Sequence, residues 1–283
     1  MTRSAAAHEP ARLTWLGHST VVVELDGVRL VTDPLLRRRV AFLQRAEAVD
    51  IDTVGAVDAV LISHMHYDHF DVPSLRLFSR STPVIVPRGA GRYVRKLGFG
   101  DVAELERDEE RHVGALVVRS THAEHDAQRW PSWRRTASLG YVLTGTATVY
   151  FAGDTDLFEE MHDVAPALDV ALLPVAGWGP KVPAGHLDPA RAAAAVTRLR
   201  PRVAIPIHWG TYRRLDLRLD PADMRRPADE FARAVGEVAP DVRTYVLPLG
   251  GSVEIETTGS PGRGDVPDTD AAHTSTGRLC DSS

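Results

Sequence analysis

Residues 64–69 read His64-Met65-His66-Tyr67-Asp68-His69, three imidazoles and a carboxylate within six positions. They follow Ala-Val-Leu-Ile at residues 59–62, a short apolar run of the kind that forms a buried strand. In extended backbone side chains alternate with period two, so His64 and His66 face one side. The chain must then turn for Asp68 and His69 to join them. A lone surface histidine needs no explanation, but four such groups behind one strand are poor core material. Neutral imidazoles gathered beside a carboxylate make a metal-ligand set, one that suits zinc, iron or manganese.

Three further strand-like runs lead into a residue of the same chemistry. Residues 116–119 run on to His122, residues 149–151 to Asp154, and residues 203–207 to His208. Any one of these alone would read as a hydrogen-bonded structural residue. The repeated order of strand then ligand points instead to one rim where strand ends converge. His186 stands in a Gly- and Pro-rich loop just before Asp188-Pro189, a helix cap and first helical residue. It is a candidate for steadying an oxyanion or protonating a leaving group, with a plain helix-start residue as the alternative. His18, after Gly17, either supports the site from a neighbouring loop or completes a turn. His125 reads as a loop residue or a substrate contact.

The elements that must position these groups are legible in outline. Residues 12–16, 20–25 and 28–32 are strand-like, and Asp26-Gly27 marks a tight hairpin. Residues 35–52 form a mixed, arginine-rich connection. Residues 113–119 read as one strand after an acidic turn, and 138–143 pairs with 146–151. An alanine-rich helix begins after Asp188 and stops before Pro201. Residues 212–226 read as irregular and 227–238 as a helix. A strand-rich first half followed by mixed strands and helices predicts an α/β fold, two sheets face to face with helices outside. Residues 1–11 read as a flexible leader, 12–256 as one catalytic domain, and 257–283 as a disordered tail with little to bury. The polar insertion 123–135 carries Trp130 and Trp133, which either contact substrate or anchor the loop.

Composition narrows the function classes. The 33 basic and 38 acidic residues give a net charge of −5, so no global basic field exists to hold nucleic acid. The single cysteine, Cys280, permits neither an internal disulfide nor a Cys-rich zinc site. No apolar run approaches the ~20 residues of a membrane span, and residues 1–12 lack the apolar core of a signal peptide. A soluble cytoplasmic protein is expected.

The motif His64-x-His66-x-Asp68-His69 resembles the signature of the metallo-β-lactamase superfamily, and His122, Asp154 and His208 follow in that family's order. The resemblance spans roughly residues 12–256. It implies an αββα sandwich with two divalent metal ions at its edge, most readily Zn²⁺, with Mn²⁺ or Fe²⁺ as alternatives. Carried over by position, His64, His66 and His122 would bind the first ion. Asp68, His69 and His208 would bind the second, and Asp154 would bridge them. Asp68 would also orient or deprotonate the attacking water. A narrower likeness rests on residues 14–20 (Thr-Trp-Leu-Gly-His-Ser-Thr), 31–34 (Val-Thr-Asp-Pro), 152–155 (Ala-Gly-Asp-Thr), 186–189 (His-Leu-Asp-Pro) and 208–211 (His-Trp-Gly-Thr). These resemble the N-acyl-phosphatidylethanolamine phospholipase D and ascorbate-6-phosphate lactonase branch. In the phospholipase branch the middle histidine is often followed by Trp-Ser, whereas His122 is followed by Ala123-Glu124-His125.

The resemblance therefore implies hydrolysis by water activated between two metals, on a phosphodiester or other ester bond of a small-molecule or lipid-derived substrate. The alternative is a lactonase for a phosphorylated sugar acid. A nuclease is disfavoured by the acidic charge and the lack of an added nucleic-acid-binding domain. A non-catalytic metal-binding protein is disfavoured by the complete ligand set.

Overall fold

The computed structural model describes residues 9–40, 43–126, 136–177, 182–215 and 220–256. Residues 1–8 of the leader, Trp130, Trp133 and the tail 257–283 lie outside the described residues.

The opening hairpin forms as its residues require. Asp26 and Gly27 both have positive φ, at 52° and 73°, which is the backbone of a tight two-residue turn between Thr20–Leu25 and Val28–Thr32. From that hairpin grows a seven-stranded sheet. Its spatial order is Ser252–Ile255, Ala11–Gly17, Thr20–Leu25, Val28–Thr32, Ala59–Leu61, Val84–Pro87 and Val102–Leu105. The first four strands are antiparallel to their neighbours, and from Val28–Thr32 onward the pairing is parallel.

A second seven-stranded sheet is ordered Arg243–Thr244, Val203–Ile207, Val170–Pro174, Thr148–Phe151, Leu139–Thr144, Leu116–His122 and Glu110–Val113. Its first four strands run parallel and the rest antiparallel. The strand expected over 113–119 is thus two strands. Gly114, at φ 55°, breaks the run and returns it as a hairpin.

Strand alternation explains the layers. Register pairs Val22 with Val31, Val31 with Val60, and Val60 with Val84. This valine row faces outward, where it packs with Leu75, Val94 and Phe99 beneath the short helices Val72–Leu75 and Gly91–Arg95. The alternate residues Val21, Val23, Leu30, Leu61 and Ile85 face inward and join Tyr141, Val149 and Phe151 of the second sheet in the main core. The outer side of the second sheet is covered by Pro189–Leu199 and Pro221–Val238. Asp188 caps the first through the Arg191 N–H at 2.8 Å, and Asp220 caps the second through the Asp223 N–H at 2.7 Å. The last helix therefore starts at Pro221, six residues earlier than the sequence suggested. Asp220-Pro221 is its start signal, and Pro227 is accommodated inside the helix. The mixed connection 35–52 supplies two short strands, Arg39–Val40 and Leu43–Arg45, which form a small sheet with Tyr212–Arg214.

The two large sheets are tied at one end. The Tyr141 hydroxyl donates to the Ile62 carbonyl at 2.8 Å, and the Leu139 N–H donates to the Ser63 carbonyl at 3.0 Å. No helix among the described residues is long and apolar enough to cross a membrane. Tyr141→Phe removes the only side-chain part of this tie while keeping the ring. It should cost about 1 kcal/mol of stability, read as a lower urea midpoint at unchanged slope.

Candidate metal centre

The tied end is where the chemistry collects. His64 lies three residues beyond Leu61, Asp154 three beyond Phe151, and His208 one beyond Ile207. Asp33 follows Val28–Thr32, and His18 follows Ala11–Gly17. All of these are carboxyl ends of strands, where backbone leaves the ladder and side chains can turn toward a common point. Gly153 makes one of the turns. Its φ is 62°, and a Cβ there would stand 2.7 Å from the Ser63 Cβ, so only glycine brings Asp154 this close to His64.

Three imidazoles meet first. His64 Nε2 lies 3.0 Å from His66 Nδ1, and His125 Nε2 lies 3.1 Å from the same atom. The far nitrogen of His64 is held by the Ser63 hydroxyl at 2.9 Å, and that of His125 by the Gly185 carbonyl at 2.8 Å. Burial pushes all three imidazoles down, His64 well below its ordinary value and His125 to about 4, so they are neutral and present lone pairs.

Beside them is a charged group. Asp68 and Asp154 are both largely buried, with side chains 14% and 2% exposed. His69 Nε2 lies 3.1 Å from Asp154 Oδ2 and 3.5 Å from Asp68 Oδ2, and His208 Nε2 lies 3.3 Å from Asp154 Oδ1. Their far nitrogens are again fixed, His69 Nδ1 by Asp33 at 2.7 Å and His208 Nδ1 by the Ala176 carbonyl at 2.9 Å. Burial alone would push both imidazoles down. The carboxylates reverse this: Asp154, Asp68 and Asp33 hold His69 well above its ordinary value, and Asp154 leads in raising His208 to about 9. Burial likewise pushes Asp68 and Asp154 up, yet the surrounding imidazoles hold both well below the usual carboxylate range.

The donor set fits divalent cations. Three neutral nitrogens facing one another cannot all be satisfied by mutual hydrogen bonds, and their 3.0 and 3.1 Å spacings approach the ~3.3 Å between ligands of a tetrahedral site with bonds of about 2.0–2.1 Å. In the second group two buried carboxylates require positive charge beside them. His69 Nε2 and Asp154 Oδ1 are buried atoms aimed at this point without a hydrogen bond.

Of the residues expected from sequence, His64, His66, Asp68, His69, Asp154 and His208 are brought together. His122 is not. Its Nε2 pairs with Glu124 Oε2 at 3.3 Å, its ring lies edge-on to Phe158, and it is one-third exposed. The reason is where the strand ends. Leu116–His122 remains in the ladder through the His122–Leu139 pair, so His122 cannot turn to the rim. The chain leaves the sheet afterwards. Glu124 then bridges to Asp156, and the Glu124 N–H donates to Thr155, which lays His125 beside Asp154 and His186. The same three-residue offset from the strand end that holds for His64 and Asp154 holds for His125. His186 stands at the rim, 16% exposed, with Nε2 3.4 Å from Asp154 Oδ2 and its ring 4.6 Å from that of His125. In the sequence Asp33, before Pro34, reads only as the end of a strand. It is fully buried and accepts from the Ser63 N–H and hydroxyl as well as contacting His69.

The comparisons with known proteins agree with this geometry. Residues 28–209 match the family model described as the β-lactamase superfamily domain. A UPF0173 metal-dependent hydrolase of Methanopyrus kandleri is 32% identical, covering 86% of this chain and 99% of that protein. The N-acyl-phosphatidylethanolamine-hydrolyzing phospholipase D 1 of Caenorhabditis elegans is 28% identical over 70% of this chain and 64% of that protein. Among solved structures, Igni18, a metallo hydrolase of Ignicoccus hospitalis, superposes with a TM-score of 0.66 at 24% identity, covering 87% of this chain and 98% of the other. With two half-parallel sheets packed face to face, helices outside and the His/Asp cluster at their common edge, the chain belongs to the β-lactamase superfamily and has the metallo-β-lactamase fold.

Proposed function

We propose that this protein is a metal-dependent hydrolase whose centre takes two divalent cations, Zn²⁺ suiting the donors best, and that it cleaves a phosphodiester or other ester bond. The observation that carries this reading is the convergence of three neutral imidazole nitrogens next to a pair of buried carboxylates. His64, His66 and His125 would hold one cation, and Asp68, His69 and His208 the other. Asp154 faces both groups, 3.9 Å from His64 Nε2 and 3.3 Å from His208 Nε2, and would be shared. Likeness to the Caenorhabditis elegans phospholipase supports a phosphodiester of lipid origin as substrate.

Held by these residues, divalent metal would supply an acidified water and a polarised scissile carbonyl or phosphoryl group. The chain's own residues do the rest. Asp68 is the more exposed of the two carboxylates and stands where it can orient the attacking water and take its proton. The ester bond to the leaving oxygen then breaks. His186, on the rim with its Nε2 facing Asp154, is placed to give that oxygen a proton. Asp33 holds the His69 ring so that Nε2 faces inward.

Elemental analysis of purified protein should find close to two metal ions per chain. His125→Ala should lower that number, while His122→Ala should leave it unchanged; the reverse pattern would restore the assignment made from sequence. Asp68→Asn and His66→Ala should each abolish turnover with circular dichroism unaltered. Asp33→Asn should weaken metal binding by about 10–100-fold in a chelator competition. The substrate is tested by a panel with Zn²⁺, Mn²⁺ and Fe²⁺ against a phosphodiester, a sugar lactone, a thioester and a β-lactam. Turnover of the phosphodiester is expected, and turnover of the lactone alone would replace this reading with a lactonase.

A further inference from the structure

His18 comes from the first strand, far in sequence from the cluster it joins, and the fold invests heavily in its placement. Its backbone is in the left-handed region, at φ 52°, which a residue other than glycine adopts only when its surroundings hold it there. Both of its backbone polar groups are engaged. Its N–H donates to Thr211 Oγ1 at 2.6 Å, and its carbonyl accepts from Trp15 Nε1 and from the His208 N–H, both at 2.9 Å. Trp15 in turn stacks on Trp209 at 4.6 Å between ring centres.

Beneath the loop lies Arg45, a buried arginine from the small third sheet. Its guanidinium donates to the Leu16 carbonyl, two residues before His18, and to the Leu35 carbonyl at 2.8 Å, two residues after Asp33. Tyr212, paired with Arg45 in that sheet, donates to the Arg37 carbonyl at 2.6 Å. Gly17 is required because a Cβ would stand 2.6 Å from the Thr211 methyl and 2.7 Å from the Arg45 guanidinium. One guanidinium and one small sheet thus lock together the loops that carry His18, Asp33 and His208.

What this locking delivers is a contact on Asp68. His18 Nε2 lies 3.0 Å from Asp68 Oδ2. A carboxylate only accepts, so Nε2 is the donor. The imidazole is 2% exposed and packed at 3.8 Å between ring centres against His208. A carboxylate on a short side chain has a broad terminal torsion, and a donor on a rigidly held ring selects which oxygen faces the cluster; Oδ2, which His18 contacts, is also the oxygen 3.5 Å from His69 Nε2 and 3.8 Å from His208 Nε2. We infer that His18 is a positioning residue for Asp68: it fixes the rotation of that carboxylate and thereby completes the half of the centre formed by Asp68, His69 and His208. The inference rests on the metal-centre reading above. Its rival is that His18 is itself a ligand, since it lies within reach of the same point as Asp68, His69 and His208.

The test is a Zn²⁺ titration of full-length protein with chelator competition, backed by the absorption spectrum of the Co²⁺-loaded form. Wild type should take two ions; failure to do so overturns the metal-centre reading and this inference with it. H18F removes the donor. It should keep two sites but weaken one by about 10–100-fold and change its Co²⁺ bands, leaving the other site untouched. H18Q restores an N–H of similar reach and should bind and absorb as wild type does. Adding H18F to D68N should cause no further loss, because the effect runs through Asp68. Wild-type affinities in H18F, an additive loss in the double variant, or loss of a whole site in H18Q would each overturn the inference, the last in favour of a ligand. If H18F does not fold by circular dichroism, H18A takes its place with the same expectations.

Discussion

Two carboxylates, Asp68 and Asp154, are buried side by side at the edge of this sandwich, and most of the surrounding structure answers the cost of putting them there. An unpaired buried carboxylate is worth several kcal/mol of penalty, so positive charge and hydrogen-bond donors must surround it. His69 and His208 stand against them as the cationic partners, His18 donates to Asp68, and Asp33 and the Ala176 carbonyl fix the far nitrogens of His69 and His208. A second circle then holds the first: Ser63 donates to Asp33, and Thr211 and Trp15 hold the His18 backbone. Such a cluster is well matched to a cation and poorly matched to an ordinary core.

The sandwich supplies the rigidity that this arrangement needs. Each sheet contributes strand ends to the same edge, and the Tyr141–Ile62 and Leu139–Ser63 hydrogen bonds join the sheets right where the first histidine begins. The helices of the described residues lie on the outer faces of the sheets. Short helices cover the outer valine row of one sheet, and the two longer helices cover the other. Rim residues such as His186 keep partial exposure, which a hydrolytic site requires for substrate to enter.

Much of this was legible in the residues alone, for identifiable reasons. The hairpin at Asp26-Gly27, the apolar runs and the cap at Asp188 are local signals, and the structure follows them. The departures are also local in origin. Gly114 divides what the apolar pattern presents as one strand, and a charged stretch and an internal proline obscure the cap at Asp220. A strand that ends at Arg119 puts His122 at the rim. The ladder continues three residues further, and it is His125 that stands beside His64, His66 and Asp154.

The types and spacing of His64, His66, Asp68 and His69, and the fact that Asp154 and His208 follow apolar strands, are written in the chain and do not depend on how the sheets are arranged. Only the tertiary structure decided which middle histidine joins them, that Asp33 orients His69, and that His18 reaches Asp68 from fifty residues away. Those relations depend on where a ladder stops pairing and on which loops are packed together. Both are set by contacts between distant strands, and these leave no periodic trace in the chain.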